Sequence, residues 1–190
     1  MKKFILFTVL LTAFAISGFA QTGTPAPSTT PPPAQPPAGA ATPSDKPLIE
    51  VLSWMMGQWE GEGISRDQQF IGHLNVSADL DGTILQITRE STSKNSTLTG
   101  GLKEIMLVGL DGTTKKIVET LYDNKNRIAL YVGELGQNEI VFSLATAQPG
   151  YVDRRIFRLL PDGGLAFVIE GAAPGKEVSK LVEINFKKKP

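Results

Sequence analysis

Residues 52–63 read LSWMMGQWEGEG, and the spacing of apolar side chains changes in the middle of them. Up to Met55 the pattern is helical: Leu48, Val51, Leu52 and Met55 fall at i, i+3, i+4 and i+7, one stripe of a short helix. Ser44 is placed to cap its start, Pro47 is tolerated in a first turn, and Gly57 ends it. From Gly57 onward the period is two, the signature of strands whose side chains alternate between faces.

That period persists over about ten short segments, 58–65, 70–80, 83–91, 103–110, 114–122, 127–134, 139–145, 151–160, 165–170 and 180–187. Asp81-Gly82, Asp111-Gly112 and Asp162-Gly163 lie between them, and Asp-Gly supplies the positive φ of tight hairpin turns. Connections this short leave no room for crossover helices, so the sheet is expected to be antiparallel and to meander. Ten strands in one flat sheet would expose two long edges. An all-β, up-and-down barrel of about ten strands, with the short N-terminal helix capping one end, removes both.

The first twenty residues, MKKFILFTVLLTAFAISGFA, pair two lysines with an apolar run and end on a small residue. This is the pattern of a cleaved secretory signal peptide over 1–20, too interrupted for a stable membrane span. The expected destination is the bacterial periplasm or medium. Residues 21–46 hold eight of the thirteen prolines and have too few apolar side chains to offset ordering, so they read as a disordered Pro/Ala/Thr-rich linker. The barrel domain is then 47–190.

Without Lys2 and Lys3, 17 basic residues face 19 acidic ones, a net charge of 17 − 19 = −2. Such a balance does not attract nucleic acid or anionic lipid over a broad surface. Cysteine is absent, so no disulfides support the fold and no thiol is available for lipid attachment. Neither length nor composition indicates an oligomeric state.

A helix leading into Gly57-Gln58-Trp59 at the head of the first strand resembles the GxW signature of calycins, the lipocalins and fatty-acid-binding proteins. WMMGQWEGEG is similar to the opening of nitrobindin-like and related bacterial secreted lipocalin-like domains. LYDNKNRIALYV (121–132), RRIFRLL (154–160) and GAAPGKEVSKLVEINFKKK (171–189) resemble their back half. The resemblance implies a barrel with an interior cavity for an apolar ligand, which in nitrobindins is haem held by a histidine near the C-terminus. No histidine stands there: the single one is His73, in the second strand, so the haem ligand does not carry over and no cofactor is expected. The resemblance also implies a basic residue from the last strand over the first-strand tryptophan, a role open to Lys187 or Lys188. Trp54, Trp59, Gly57 and Gly61 complete this closure, with Gly61 and Gly63 giving the strand room to bend.

Catalytic chemistry has little to build on. Zinc sites and serine triads would all depend on His73, which alternation places with Ile71, Asn75 and Ser77, opposite Leu74 and Val76. GAAPGK has three residues between its glycines and Glu177 where a phosphate loop needs Ser or Thr, so it reads as a turn. Glu60 and Glu62 share a face opposite Trp59 and belong to solvent if the tryptophan is buried. An enzyme, for instance a barrel-type isomerase, is therefore the least favoured reading.

In DRRIFRLL, Arg155 shares a face with Phe157 and Leu159, while Arg154 and Arg158 flank Ile156 on the other. An inward Arg155 would offer a bidentate anchor to a carboxylate in an apolar cavity. An inward Arg154 face would need partners such as Glu90, Glu119 or Glu170, and either arginine could instead lie at the surface. Tyr131, Arg89 and Phe167 are further candidates for the same wall. The expected function is binding of a hydrophobic or amphipathic, fatty-acid-like molecule. The alternative is a side-chain-filled barrel serving as a cell-envelope interaction module.

Overall fold

The computed structural model describes residues 46–65, 68–94 and 101–190. The expected signal peptide and nearly all of the linker, including Ser44, lie outside the described residues. Ten antiparallel strands follow a short helical entry: β1 Gly57–Ser65, β2 Gln68–Asp79, β3 Ile84–Ser93, β4 Leu102–Leu110, β5 Ile117–Asp123, β6 Ile128–Gly136, β7 Glu139–Leu144, β8 Val152–Leu159, β9 Leu165–Ala172 and β10 Ser179–Lys188. Each pairs with its sequence neighbours, and β1 pairs with β10 to close the barrel. The expected all-β meander with a helix at its N-terminal side is the observed fold.

The helical entry is shorter than its apolar stripe suggested. An α-helix, Leu48–Val51, gives way to a 3₁₀ turn, Ser53–Met55, and the residue before the helix is Pro47, with no side-chain cap. Its Leu48, Leu52 and Met55 are buried, and Ile49 reaches the β2–β3 turn at Gly82, so it covers that end of the barrel. The same end carries the β4–β5, β6–β7 and β8–β9 turns. The other end, which carries the β5–β6, β7–β8 and β9–β10 connections, is the mouth.

Two of the three Asp-Gly turns follow the expectation, with φ of +81° at Gly82 and +82° at Gly163. The third does not. Asp111 instead accepts hydrogen bonds from the backbone N–H of Thr113 and Thr114 and from the Thr114 hydroxyl, and the left-handed residue is Lys115, at φ +58°. Gly61 also has a reason other than bending. A Cβ there would lie 2.1 Å from the Asn185 carbonyl oxygen, so glycine permits the close approach of the β10 backbone that shuts the seam.

Inside, the helix end is packed with side chains rather than hollow. Trp59, Leu74, Val76, Leu85, Ile87, Val108, Ile140, Leu165, Ile184 and Phe186 are buried there or toward the middle. Phe142 meets Phe157 edge-on at 6.3 Å, and Phe157 lies 4.8 Å from Phe167. Trp59 donates its indole N–H to the Met55 carbonyl at 2.8 Å and carries the Lys188 ammonium 5.4 Å above its ring. Lys187, one residue earlier, is exposed and paired in register with Glu60. Trp54 is half-buried against the core.

Candidate ligand-binding site

Strand alternation, applied to β3, β4, β5 and β8, places four charged side chains among inward apolar ones. Arg89 follows Leu85 and Ile87; Glu104 precedes Met106 and Val108; Glu119 sits between Ile117 and Leu121; Arg155 precedes Phe157. All four are at most 2 % exposed. Burying charge is tolerated only when it is paired and hydrogen-bonded, and here the pairing crosses the barrel interior.

Arg155 reaches from β8 to the opposite wall. Its Nη2 donates to Glu104 Oε1 at 2.5 Å, and its Nη1 donates to Glu119 Oε1 at 3.3 Å and to the Met106 sulfur at 3.1 Å. Glu104 is shared: Arg89 Nε donates to its Oε2 at 2.6 Å, Arg89 Nη2 pairs with the same oxygen, and Arg127 Nη2 approaches Oε1 at 3.4 Å. Arg89 Nη1 also donates to the Ser91 hydroxyl at 2.8 Å. Phe167 supports both guanidinium groups, Arg89 at 4.6 Å and Arg155 at 5.6 Å, and Tyr131 lies 5.5 Å from Arg155.

The two carboxylates are held unequally. Burial alone would raise the Glu104 carboxyl, but Arg89 and Arg155 outweigh it and hold the group below the usual carboxylate range. Burial pushes Glu119 up to about 7; Arg155 only partly opposes this, and Glu104 and Asp153 push the same way. Its second oxygen, Oε2, has no hydrogen-bond partner among the described residues. Burial likewise raises the Tyr131 phenol to about 12, so it stays a donor, to Asp153 Oδ2 at 3.3 Å.

Above this layer a cleft of about 720 Å³ opens at the mouth, between the β7–β8 connection and the β9–β10 hairpin. Leu144, Tyr151, Val152, Ile169 and Leu181 supply apolar wall, and Arg127, Arg155 and Lys176 supply positive charge against Asp153, Glu170 and Glu177. An adjoining recess of about 480 Å³ shares Arg127, Leu144, Thr146 and Asp153 with it and reaches Tyr131. Of the five residues proposed from sequence to touch ligand, Arg155 lines the cleft and Tyr131 the recess. Arg89, Phe157 and Phe167 line neither and are buried in the layer and core.

Arg154 and Arg158 lie on the outside, paired with Glu170 and Glu139 at 2.8 Å each. Glu60 and Glu62 are also outside, on Lys189 and Lys94 at 2.6 Å each. His73 faces outward on β2, its side chain 52 % exposed and 3.9 Å from Glu60, so the barrel interior offers no imidazole to a haem iron. The interior donors are guanidinium, carboxyl and phenol, a set that does not fit histidine-held haem. Among the described residues, no three His, Asp or Glu side chains converge on a possible metal position, and no helix is long and apolar enough to cross a membrane.

Sequence reading overlooked Glu104 and Asp153, and named Glu119 only for the other face of β8. The signal was present. In KEIMLVGL and IVETL an acidic residue stands in phase with the buried apolar positions, where solvent-facing charge does not belong.

These features define a β-barrel with a charged internal layer beneath an open cleft. The fold is similar to that in the crystal structure of Rv2717c from M. tuberculosis, with a TM-score of 0.56 and 14 % identity, over 76 % of this chain and 99 % of that one. At that identity the likeness establishes the fold alone. No family model and no curated protein sequence matches the chain.

Proposed function

We propose that this chain is an exported binding protein whose barrel mouth takes a hydrophobic or amphipathic small molecule of fatty-acid type. The observation that carries the reading is the cleft, about 720 Å³ in volume, with apolar walls over a buried arginine. Its size lies within the range of about 300–1,000 Å³ usual for small-molecule pockets. The wall suits a hydrocarbon tail, and Arg155 suits a polar head. Export is supported by the leader pattern of residues 1–20. Binding is favoured over catalysis because the single histidine is outside and the buried carboxyls serve ion pairs.

The test is mass spectrometry of organic extracts from natively purified protein, paired with titration of a dansylated undecanoic acid. A recovered amphiphile, or saturable probe binding that a Tyr151→Glu/Leu181→Glu variant loses, supports the reading. An empty extract together with no saturable binding refutes it. The second reading, an interaction module with a filled barrel, is favoured by the solid packing of the helix end, and it is what that negative result would leave.

A further inference from the structure

Four charged side chains make up the buried layer, yet Arg155 alone among them also lines the cleft. Its charge is already divided. Glu104 takes the shorter contact, at 2.5 Å, and Glu119 the longer one, at 3.3 Å, with the second Glu119 oxygen unpartnered among the described residues. Any anionic head group that reaches Arg155 from the cleft becomes a third negative group around one guanidinium. Like charges crowded in a low-dielectric site are relieved by neutralising the one held least.

We propose that the cleft is selective for anionic amphiphiles, and that Glu119 takes up one proton from solvent as such a head group engages Arg155. This rests on the reading of the mouth as a ligand site and specifies its ligand class and its pH response. The groups facing Glu119 all bear on the outcome. From β8 come Arg155 and Asp153, from β4 Glu104, from β6 Tyr131, which stays neutral and donates to Asp153, and from beyond Glu104 the guanidinium groups of Arg89 and Arg127. Glu104 is fixed by two arginines and Asp153 is only half-buried, whereas Glu119 is fully buried with one contact of 3.3 Å and a second oxygen unpartnered among the described residues, so Glu119 is the group that yields. The raised proton affinity given to Glu119 by burial agrees with this choice. A cationic head would meet Arg127 and Arg155 in the cleft, and an uncharged one could accept hydrogen bonds from them but would lack the charge-assisted gain of an anion.

The experiment titrates dansylated undecanoic acid and its uncharged methyl ester into the purified protein from pH 6 to 8.5. Affinity for the acid should fall about tenfold per pH unit above pH 7, as one linked proton requires, while the ester binds more weakly and without pH dependence. In Glu119→Gln the slope for the acid should vanish. Calorimetry in two buffers of different ionisation enthalpy at pH 7.5 should count about three-quarters of a proton taken up by the unmutated chain, because a carboxyl with a pKa of about 7 already holds the rest. This measurement decides the matter should Glu119→Gln not fold. Acid binding with no slope or no proton uptake, a slope retained in Glu119→Gln, or equal binding of the ester overturns the proposal and leaves the binding site standing. Failure of acid and ester alike removes both.

Discussion

Glu119→Gln should make the stability of the unliganded protein less sensitive to pH, and the size of the effect follows from the site. The folded carboxyl binds its proton with a pKa of about 7, against 4.5 for an unperturbed glutamate. Between those values the native state holds a proton that the unfolded chain has released. A raised acid pKa therefore contributes stability at low pH that is lost as pH climbs through 7. From pH 5.5 to 7 the slope averages about 1.1 kcal/mol per unit, and between pH 5.5 and 8.5 the wild-type chain should lose about 2 kcal/mol that Glu119→Gln does not lose. The carboxyls held below their ordinary range, Glu104, Asp111 and Asp123, act at more acid pH and do not mask this window. The substitution adds its own cost by leaving an amide N–H short of a partner, but that cost is constant with pH. Urea unfolding at pH 5.5, 7 and 8.5, extrapolated linearly to water, measures both curves. Parallel curves for the two proteins, or a wild-type chain that gains stability relative to Glu119→Gln as pH rises, would refute the assignment of the proton to Glu119.

Glu104→Leu removes the carboxylate shared by Arg89 and Arg155 and should cost about 3–5 kcal/mol in chemical unfolding, because two buried guanidinium groups lose their main partner. Gly61→Ala sets a methyl group against the Asn185 carbonyl; a loss of about 3 kcal/mol is expected by thermal melting, and a neutral result would show that the β1–β10 seam yields easily. Lys188→Met should cost only about 0.5–1 kcal/mol, since the ammonium above Trp59 is at the rim of the barrel. Haemin titrations of the unmutated chain and of His73→Ala should give superimposable absorbance spectra, and a Soret band lost in His73→Ala would put a haem on the outer face of β2.

The strand count, the meander and the closed barrel were legible because period-two alternation and Asp-Gly punctuation act locally. Each strand announces itself without knowledge of its neighbours. The helix was over-extended because the Leu48 to Met55 stripe serves an α turn and a 3₁₀ turn equally well. Phe157 and Phe167 point inward, but inward covers both core and cavity, and alternation cannot measure depth along the barrel axis. The partner of Arg155 was hidden for another reason. Glu104 is 51 residues away and on the opposite wall, so the pair exists only once the sheet has curled.

The seam between β1 and β10 has a consequence for how the chain is made. Every other seam joins strands consecutive in the chain, whereas Trp59 must await Lys188. Until Lys188 reaches Trp59, one edge of β1 is open, a template for any stray strand. Glu60 and Glu62 lie on that strand, and before Lys189 is synthesised Glu60 lacks the lysine it finally pairs with. Two negative charges on a glycine-broken strand make a poor surface for intermolecular pairing. The acidic pair lies where it opposes pairing with a second chain for as long as the β1–β10 seam is open, on an edge that the finished barrel no longer has.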